Sequence, residues 1–338
     1  MDPVEALDRI GELLERMREP SYRVRAFRNA AKTAREVGPA ALAALDVEGK
    51  LTELAGVGDK TAQVISQALA GEKPAYLARL EGNLPDLHSG VGSSLCALLR
   101  GDLHAHSDWS DGGSPVATMA VAAKELGHEY LAMTDHSPRL TIAHGLSADR
   151  LREQILLVAE VNEDLAPFRL LTGIEVDILS DGGLDQDPAL LAQLDVVVAS
   201  VHSELRMPGP EMTRRMVAAL ANPHMDILGH CTGRLVVGRG RKESEFDYEM
   251  VFAAAARFGK AIEINSRPER LDPPKRLLSF LAETGALVSI DTDAHAPGQL
   301  HWQPYGCDRA VECGVDPANV VNTRSADDLL DWTASHAA

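Results

Sequence analysis

The sequence predicts an α/β protein: a seven-stranded β/α barrel over residues 101–338, a small all-α unit over 1–80, and a linker over 81–100. Three observations lead there. From residue 101 onward, short apolar runs alternate with amphipathic stretches, the pattern of strand and crossover helix. Six of the twelve histidines fall at or just beyond the ends of those runs. Charge is also unevenly divided: residues 1–100 carry 13 Lys/Arg and 14 Asp/Glu, and the remaining residues carry 20 and 36. A near-neutral head on a strongly acidic body implies two parts with different work.

Composition sets outer bounds. An apolar fraction of 45% and a charged fraction of 25% are those of an ordinary globular protein. No run approaches the roughly 18 apolar residues of a membrane span. The start, Met-Asp-Pro-Val-Glu-Ala, lacks the basic and apolar regions of a signal peptide. Cys96, Cys231, Cys307 and Cys313 form no Cys-x-x-Cys pair, which favours reduced thiols. The expected location is the cytoplasm. The acidic body suits a cation-binding cavity and repels phosphates unless cations are present.

In the head, Val4, Leu7, Ile10, Leu13, Leu14 and Met17 recur at helical spacing, so an amphipathic helix should end near Pro20. The run from Tyr22 to Arg35 holds Arg23, Arg25, Arg28, Lys32 and Arg35 without an acid. A solvated helix face would look the same, but the run reads as the chain's only such cluster, and basic stripes are a footprint of phosphate binding. Leu51 to Ile65 reads as helix, tight Gly56-Val57-Gly58 turn, helix, with Lys60 following. The two glycines let the turn take positive φ and expose backbone N–H groups at a helix N-terminus, an anion site. Gly82, Pro85, Gly90 and Gly92 mark the linker.

The barrel strands are expected at 102–106, 130–136, 170–178, 196–202, 226–230, 261–266 and 286–295. Helices are expected between them at 115–126, 148–165, 211–220, 246–258 and 275–284. His104, His106, His136, His202, His230 and His295 lie at strand C-terminal ends, together with Asp111, Glu175 and Asp293. In β/α barrels those ends converge on one mouth. Each residue alone reads as a packed histidine or loop carboxylate; nine together read as a metal site. Nitrogen and carboxylate donors without clustered thiolates suit Zn, Mn or Fe in a hydrolytic centre. Such ions can lower the pKa of a bound water and hold both attacking and leaving oxygens of a phosphoester. Asp135 could orient a ligand imidazole. Arg234 or Arg267 could clamp a phosphate. His144, Cys231, His88, His128, His224, His301 and His336 read as structural, surface or packing residues.

Two resemblances rest on these residues. Residues 1–80 resemble the small DNA-binding helix-hairpin-helix domain of family-X DNA polymerases, through Tyr22-Arg23-Val24-Arg25-Ala26-Phe27 and Leu54-Ala55-Gly56-Val57-Gly58-Asp59-Lys60. The resemblance implies DNA contacts by Arg23, Arg25, Arg28, Gly56, Gly58 and Lys60. Members with lyase activity carry a nucleophilic lysine where this chain has Val64, so Schiff-base chemistry is not expected. About twenty linker residues cannot encode a polymerase palm and fingers.

The second resemblance covers residues 100–335. Asp102-Leu103-His104-Ala105-His106-Ser107, Thr134-Asp135-His136-Ser137, Gly173-Ile174-Glu175-Val176-Asp177-Ile178, Ser200-Val201-His202-Ser203, Gly229-His230-Cys231-Thr232-Gly233-Arg234, Glu263-Ile264-Asn265-Ser266 and Thr292-Asp293-Ala294-His295 are similar to the motifs of the PHP (polymerase and histidinol phosphatase) domain. It implies a distorted, TIM-like (β/α)7 barrel holding two to three divalent ions. One ion would take His104, His106, Glu175 and Asp293. A second would take His202 and His230 with Glu175 bridging. A third would take Asp111, His136 and His295, with Asp111 standing where some relatives have histidine. The expected reaction is attack of a metal-bridging hydroxide on phosphorus, and the head domain motivates a DNA 3′ end as substrate, cleaved exonucleolytically or relieved of a blocking phosphate. A small-molecule phosphatase of histidinol-phosphatase type and a non-catalytic DNA-binding protein stay open as alternatives, as does the oligomeric state.

Overall fold

The structure, a computed structural model, describes residues 1–337, apart from the side chains of His88 and Ala337. It divides into two compact units, Met1–Asp86 and Leu87 onward.

The first unit is all helical: α1 Pro3–Arg16, α2 Ser21–Val37, α3 Pro39–Val47, α4 Asp59–Leu69 and α5 Ala75–Gly82. Asp2 caps α1 by accepting from the Val4 and Glu5 N–H groups, which have no partner within the helix. The apolar stripe of α1, including Leu7, Ile10 and Leu14, is buried with Phe27, Ile65 and Leu77 in one core. Ahead of the glycine turn the chain departs from expectation. Leu51–Glu53 is only a 3-10 turn, because Gly49, at φ 70°, has already ended the preceding helix. Gly56 takes φ 78°, and a Cβ there would meet Asn29 Cβ at 3.3 Å, so the turn lies tight against α2.

The second unit is the barrel. Its strands are β1 Gly101–Ala105, β2 Tyr130–Met133, β3 Arg169–Asp177, β4 Val196–Ser200, β5 Ile227–Leu228, β6 Ala261–Asn265 and β7 Val288–Asp291. They pair in sequence order, all parallel. Beyond the paired strands, β1 and β7 are joined by a bridge between Ala105 and Ala294, where the His106 N–H donates to the Ala294 carbonyl at 2.7 Å. Around the strands lie α6 Ser93–Cys96, α7 Val116–Glu125, α8 Ala148–Leu165, α9 Pro188–Leu191, α10 Gly209–Leu220, α11 Tyr248–Phe258, α12 Lys275–Thr284, α13 Gln303–Glu312 and α14 Ala326–Ala334. Most strand residues are buried on both faces, which explains their unbroken apolar runs.

Two expectations need correction. Several strands stop short of the positions read as strand ends, and His136, His202, His230, Asp293 and His295 stand on the backbone just after them. Two of these, His230 and Asp293, have positive φ, 20° and 52°, which no ladder accommodates. Residues 81–100 are also not a free linker. Leu95 and Leu99, one helical turn apart, are buried in the barrel core, and the Gly92 N–H donates to Asp308 Oδ1 at 2.7 Å. Their flanking glycines hide that short signal. All four cysteines are free thiols, and no described helix is long and apolar enough to cross a membrane.

Candidate metal centre

The strand ends assemble the site. In β1 the alternation of side chains puts His104 and His106 on one side of the backbone, and both are fully buried. The loop after His106 doubles back tightly, since a Cβ on Gly112 would lie 2.6 Å from the Ser107 carbonyl oxygen. That turn returns Asp111 towards the histidines, with Asp111 Oδ1 at 3.5 Å from His136 Nε2 and 3.3 Å from His295 Nε2. Glu175, near the end of β3, sits at the centre. Its Oε2 is 3.3 Å from His104 Nε2, 3.6 Å from His106 Nε2 and 2.9 Å from His136 Nδ1. Its Oε1 is 3.2 Å from His202 Nε2 and 2.8 Å from His230 Nε2. Asp293 Oδ1 lies 3.4 Å from His106 Nε2. All nine expected positions therefore meet in one cluster.

These spacings fit a metal better than a hydrogen-bond network. Two donors held at ~2.1 Å in a tetrahedral shell stand about 3.4 Å apart, and most of the separations lie near that. His104 Nε2, both nitrogens of His106 and of His202, His136 Nδ1, His230 Nδ1 and Glu175 Oε2 are buried without a hydrogen bond. Buried polar atoms are rarely left so, and a cluster of them is what a cation would satisfy. Donor sets drawn from His106, Asp111, His136 and His295, from His104, His106 and Glu175, and from His136, Glu175 and His202 each lie close enough to share one ion.

The electrostatics point the same way. Burial alone would raise the Glu175 carboxyl, but His202, His104 and His136 hold it well below the usual range. Burial likewise opposes ionisation of Asp293, yet Arg270 and the neighbouring histidine keep it well below. Burial, then His295 and His136, push His106 down to about 3, and burial with Arg270 does the same to His230. Both imidazoles are thus neutral at pH 7 and ready to donate a lone pair. His202 is raised to about 9, Glu175 outweighing burial.

Supporting residues were only partly legible in the chain. Glu263 holds His104 Nδ1 at 2.7 Å and accepts from the His230 N–H at 2.5 Å. Asn265 donates to both Glu263 and Asp293 at 3.2 Å. Asp177 accepts from the His202 N–H at 3.0 Å. The motifs around Glu263 and Asp177 were visible, but a carboxylate one shell out has no spacing rule of its own. Arg270 was missed altogether: its Nε lies 3.0 Å from Asp293 Oδ2, and its Nη1 is buried without a hydrogen bond.

Three sequence expectations change. Asp135 touches no imidazole; it accepts from Ser107, Ser110 and Gln154 and so fixes the loop carrying Asp111. Arg234 donates to the carbonyls of Arg270 and Leu271, so it shapes that loop and contacts none of the nine. Arg267 does reach the cluster, with Nη1 3.0 Å from His295 Nδ1 and 3.1 Å from the Asp293 carbonyl. In the head unit, Arg25, Gly56, Gly58 and Lys60 are exposed. Arg28 is instead ion-paired with the buried Glu15, and Arg23 is ion-paired with Glu19 and donates a hydrogen bond to the Tyr76 hydroxyl.

Comparison with known proteins adds two domain matches. The PHP domain profile matches residues 102–267, and a helix-hairpin-helix domain profile matches residues 1–74. The DNA polymerase/3'-5' exonuclease PolX of Bacillus subtilis (strain 168) is 40% identical over 231 residues, 68% of this chain and 40% of that protein. A probable phosphatase of Syntrophotalea carbinolica is 28% identical over 242 residues, covering 68% of this chain and 94% of the relative. A probable phosphatase of Shewanella sp. (strain MR-4) is 30% identical over 247 residues, covering 69% and 90%. This chain thus spans less than half of the Bacillus protein and nearly all of the two phosphatases.

Proposed function

The chain belongs to the PHP domain family, and on that premise we propose that its barrel is a metal-dependent phosphoesterase acting on the 3′ end of DNA, as a 3′-5′ exonuclease or 3′-phosphatase. The observation that carries the chemistry is the convergence of nine nitrogen and carboxylate donors, several of them buried without hydrogen bonds. Two to three divalent ions, Zn, Mn or Fe, are the cofactors such donors suit. His104, His106, Glu175 and Asp293 would hold one, His202 and His230 with Glu175 a second, and Asp111, His136 and His295 a third. When bound, the ions supply Lewis acidity and a water of lowered pKa.

The chain's own residues do the rest. Glu175 turns one oxygen to each histidine group, which fixes the spacing between the first two positions. Glu263 and Asp177 orient His104 and His202. Arg270 offers a buried guanidinium edge to a phosphoryl oxygen, and Arg267 stands beside it at His295. Arg270→Lys keeps the charge but loses the planar fork, so kcat should fall about tenfold while metal content by elemental analysis stays at the wild-type level. Loss of metal together with rate would instead make Arg270 a structural support.

DNA as substrate rests on the head unit, with its helix-hairpin-helix match and the exposed Arg25 and Lys60. A small phosphate ester is the second reading, favoured by the two phosphatases that the chain matches over nearly their whole length. A side-by-side Mn-dependent assay decides between them. Single-stranded DNA and 3′-phosphorylated DNA should be turned over with higher kcat/KM than histidinol phosphate. The reverse ranking would remove DNA from the proposal.

A further inference from the structure

A second basic run without an acid lies in the barrel, so the run from Tyr22 to Arg35 is not the chain's only one. Residues 233–242, Gly-Arg-Leu-Val-Val-Gly-Arg-Gly-Arg-Lys, carry four cations. They form the loop after β5, and their position in the fold gives them a meaning. The loops following β5 and β6, residues 229–247 and 266–274, hold six Lys/Arg, while those following the other five strands hold two, Arg139 and Arg206. Against those cations the two loops carry five Asp/Glu and the other five carry eight, so this sector of the mouth is slightly positive where the rest is acidic.

The run folds into a small hairpin. Leu235 and Arg241 exchange two backbone hydrogen bonds, 3.0 and 2.9 Å, and Gly238 and Gly240 at φ 69° and 65° turn the tip. The Val236 N–H donates to the Glu269 carbonyl at 2.7 Å, and Arg234 Nε to the Arg270 carbonyl at 3.0 Å. Arg270 in turn lies 3.0 Å from Asp293. A short chain of contacts thus leads from the metal centre to the hairpin. Most acids nearby are engaged: Glu243 pairs with Arg276 and faces Arg234, Asp272 is buried against Thr232, Asp247 caps α11 and Glu269 faces Arg267, while Glu245 is exposed. Arg239 is exposed at the tip, which also carries Val236 and Val237, two apolar side chains about half exposed to water, and Lys242 is exposed at the hairpin's base. A cleft of about 620 Å³ lined by Arg234, Arg241, Lys242, Tyr248 and Arg276 runs along its base.

We infer that the 235–242 hairpin is a docking site for a single-stranded nucleic-acid backbone, holding phosphates upstream of the one presented to the metal centre. Exposed cations with small apolar neighbours fit a strand whose backbone is anionic and whose bases are flat and weakly polar. Placed on one sector of an acidic rim, they give a polyanion a single favourable approach. A lone phosphate monoester has nothing to place there. The inference deepens the DNA reading of the same metal centre and rests on it for the location of the scissile bond.

The test is Arg239→Ala combined with Lys242→Ala in the full chain, both exposed side chains without a role in the hairpin's backbone bonds. The readout is the ratio of kcat/KM for a single strand of about twelve nucleotides to kcat/KM for bis(p-nitrophenyl) phosphate, with Mn. That ratio should fall about tenfold, and the dependence of log KM on log salt should flatten by about 1.4, two phosphate contacts at ~0.7 each. A ratio within about twofold of wild type, with the salt slope unchanged, overturns the inference. If the wild-type protein cleaves neither substrate, the phosphoesterase reading fails separately. Fluorescence anisotropy of the same labelled strand, wild type against variant, then decides: weaker binding by the variant retains the docking site, and equal binding removes it.

Discussion

Glu175→Gln should lower kcat/KM for any phosphoester substrate by at least about 10³-fold, roughly 4 kcal/mol of lost transition-state stabilisation. Gln is nearly the same shape, so the effect isolates charge. Glu175 is the one side chain whose two oxygens face both histidine groups, His104, His106 and His136 on one side and His202 and His230 on the other. An amide offers one neutral oxygen, and its NH₂ would be aimed at nitrogens needed as donors. Metal should be lost along with rate. Wild-type Tm should rise as Mn is added, by an amount corresponding to about 2.7 kcal/mol at a hundred times the dissociation constant, and the variant's Tm should stay nearly flat. A variant that keeps Mn-stimulated turnover would remove Glu175 from the centre. The pH dependence carries a second signature. Without metal, His202 is raised to about 9, above the unfolded value, so it is protonated at pH 7 and must shed that proton to bind. Metal affinity of the wild type should therefore climb with pH up to about 9. The imidazolium's contribution to the metal-free fold runs the other way, present in full below about 6.5 and lost as pH rises through 9. In Glu175→Gln the strongest of the influences that raise His202 is gone, so that contribution to the metal-free fold should be lost at lower pH.

What the chain disclosed in advance follows from how far each signal reaches. His104 and His106 were legible because alternation along a strand is local, and Asp111 because the turn after them is short. Ladder ends were less legible. Asp293 and His230 sit in left-handed backbone just past β7 and β5, a conformation that apolar periodicity does not report. Arg234 and Arg270 show the limit most clearly. Both follow strand ends, and the sequence pointed to Arg234 and not to Arg270. Yet Arg234 is spent on the carbonyls of Arg270 and Leu271, which leaves Arg270 to face Asp293. That choice depends on the packing of two loops 36 residues apart. The head unit repeats the lesson. Arg28 belongs to the basic run, but the buried carboxylate of Glu15 on the neighbouring helix claims it, while Arg25 and Lys32 face outward. Leu95 and Leu99 were hidden because two apolar residues cannot establish a period, although their burial decides that 87–100 belongs with the barrel.

Glu263→Gln should cost up to about 100-fold in metal affinity with kcat at saturating metal much less affected. Glu263 is fully buried and makes contacts to two ligands at once, through His104 Nδ1 at 2.7 Å and the His230 backbone N–H at 2.5 Å. Its charge does two things to His104: it fixes the ring so that Nε2 faces Glu175, and it makes that nitrogen a better donor. Burial raises the Glu263 carboxyl, and His104 is the neighbour that most opposes this. Gln can keep the hydrogen bond but not the charge. His104 then loses the strongest of the influences that hold its pKa well above the ordinary histidine value. Metal binding in the variant should release fewer protons near pH 7, which isothermal titration in two buffers of different ionisation enthalpy reads directly. A purely structural role would lower Tm and yield without altering that proton count. Rescue of activity by raised Mn, together with the changed proton release, is the expected pair. A variant with wild-type Mn dependence would show that the ring is held by packing alone, and that His104 needs no charged partner to serve the centre.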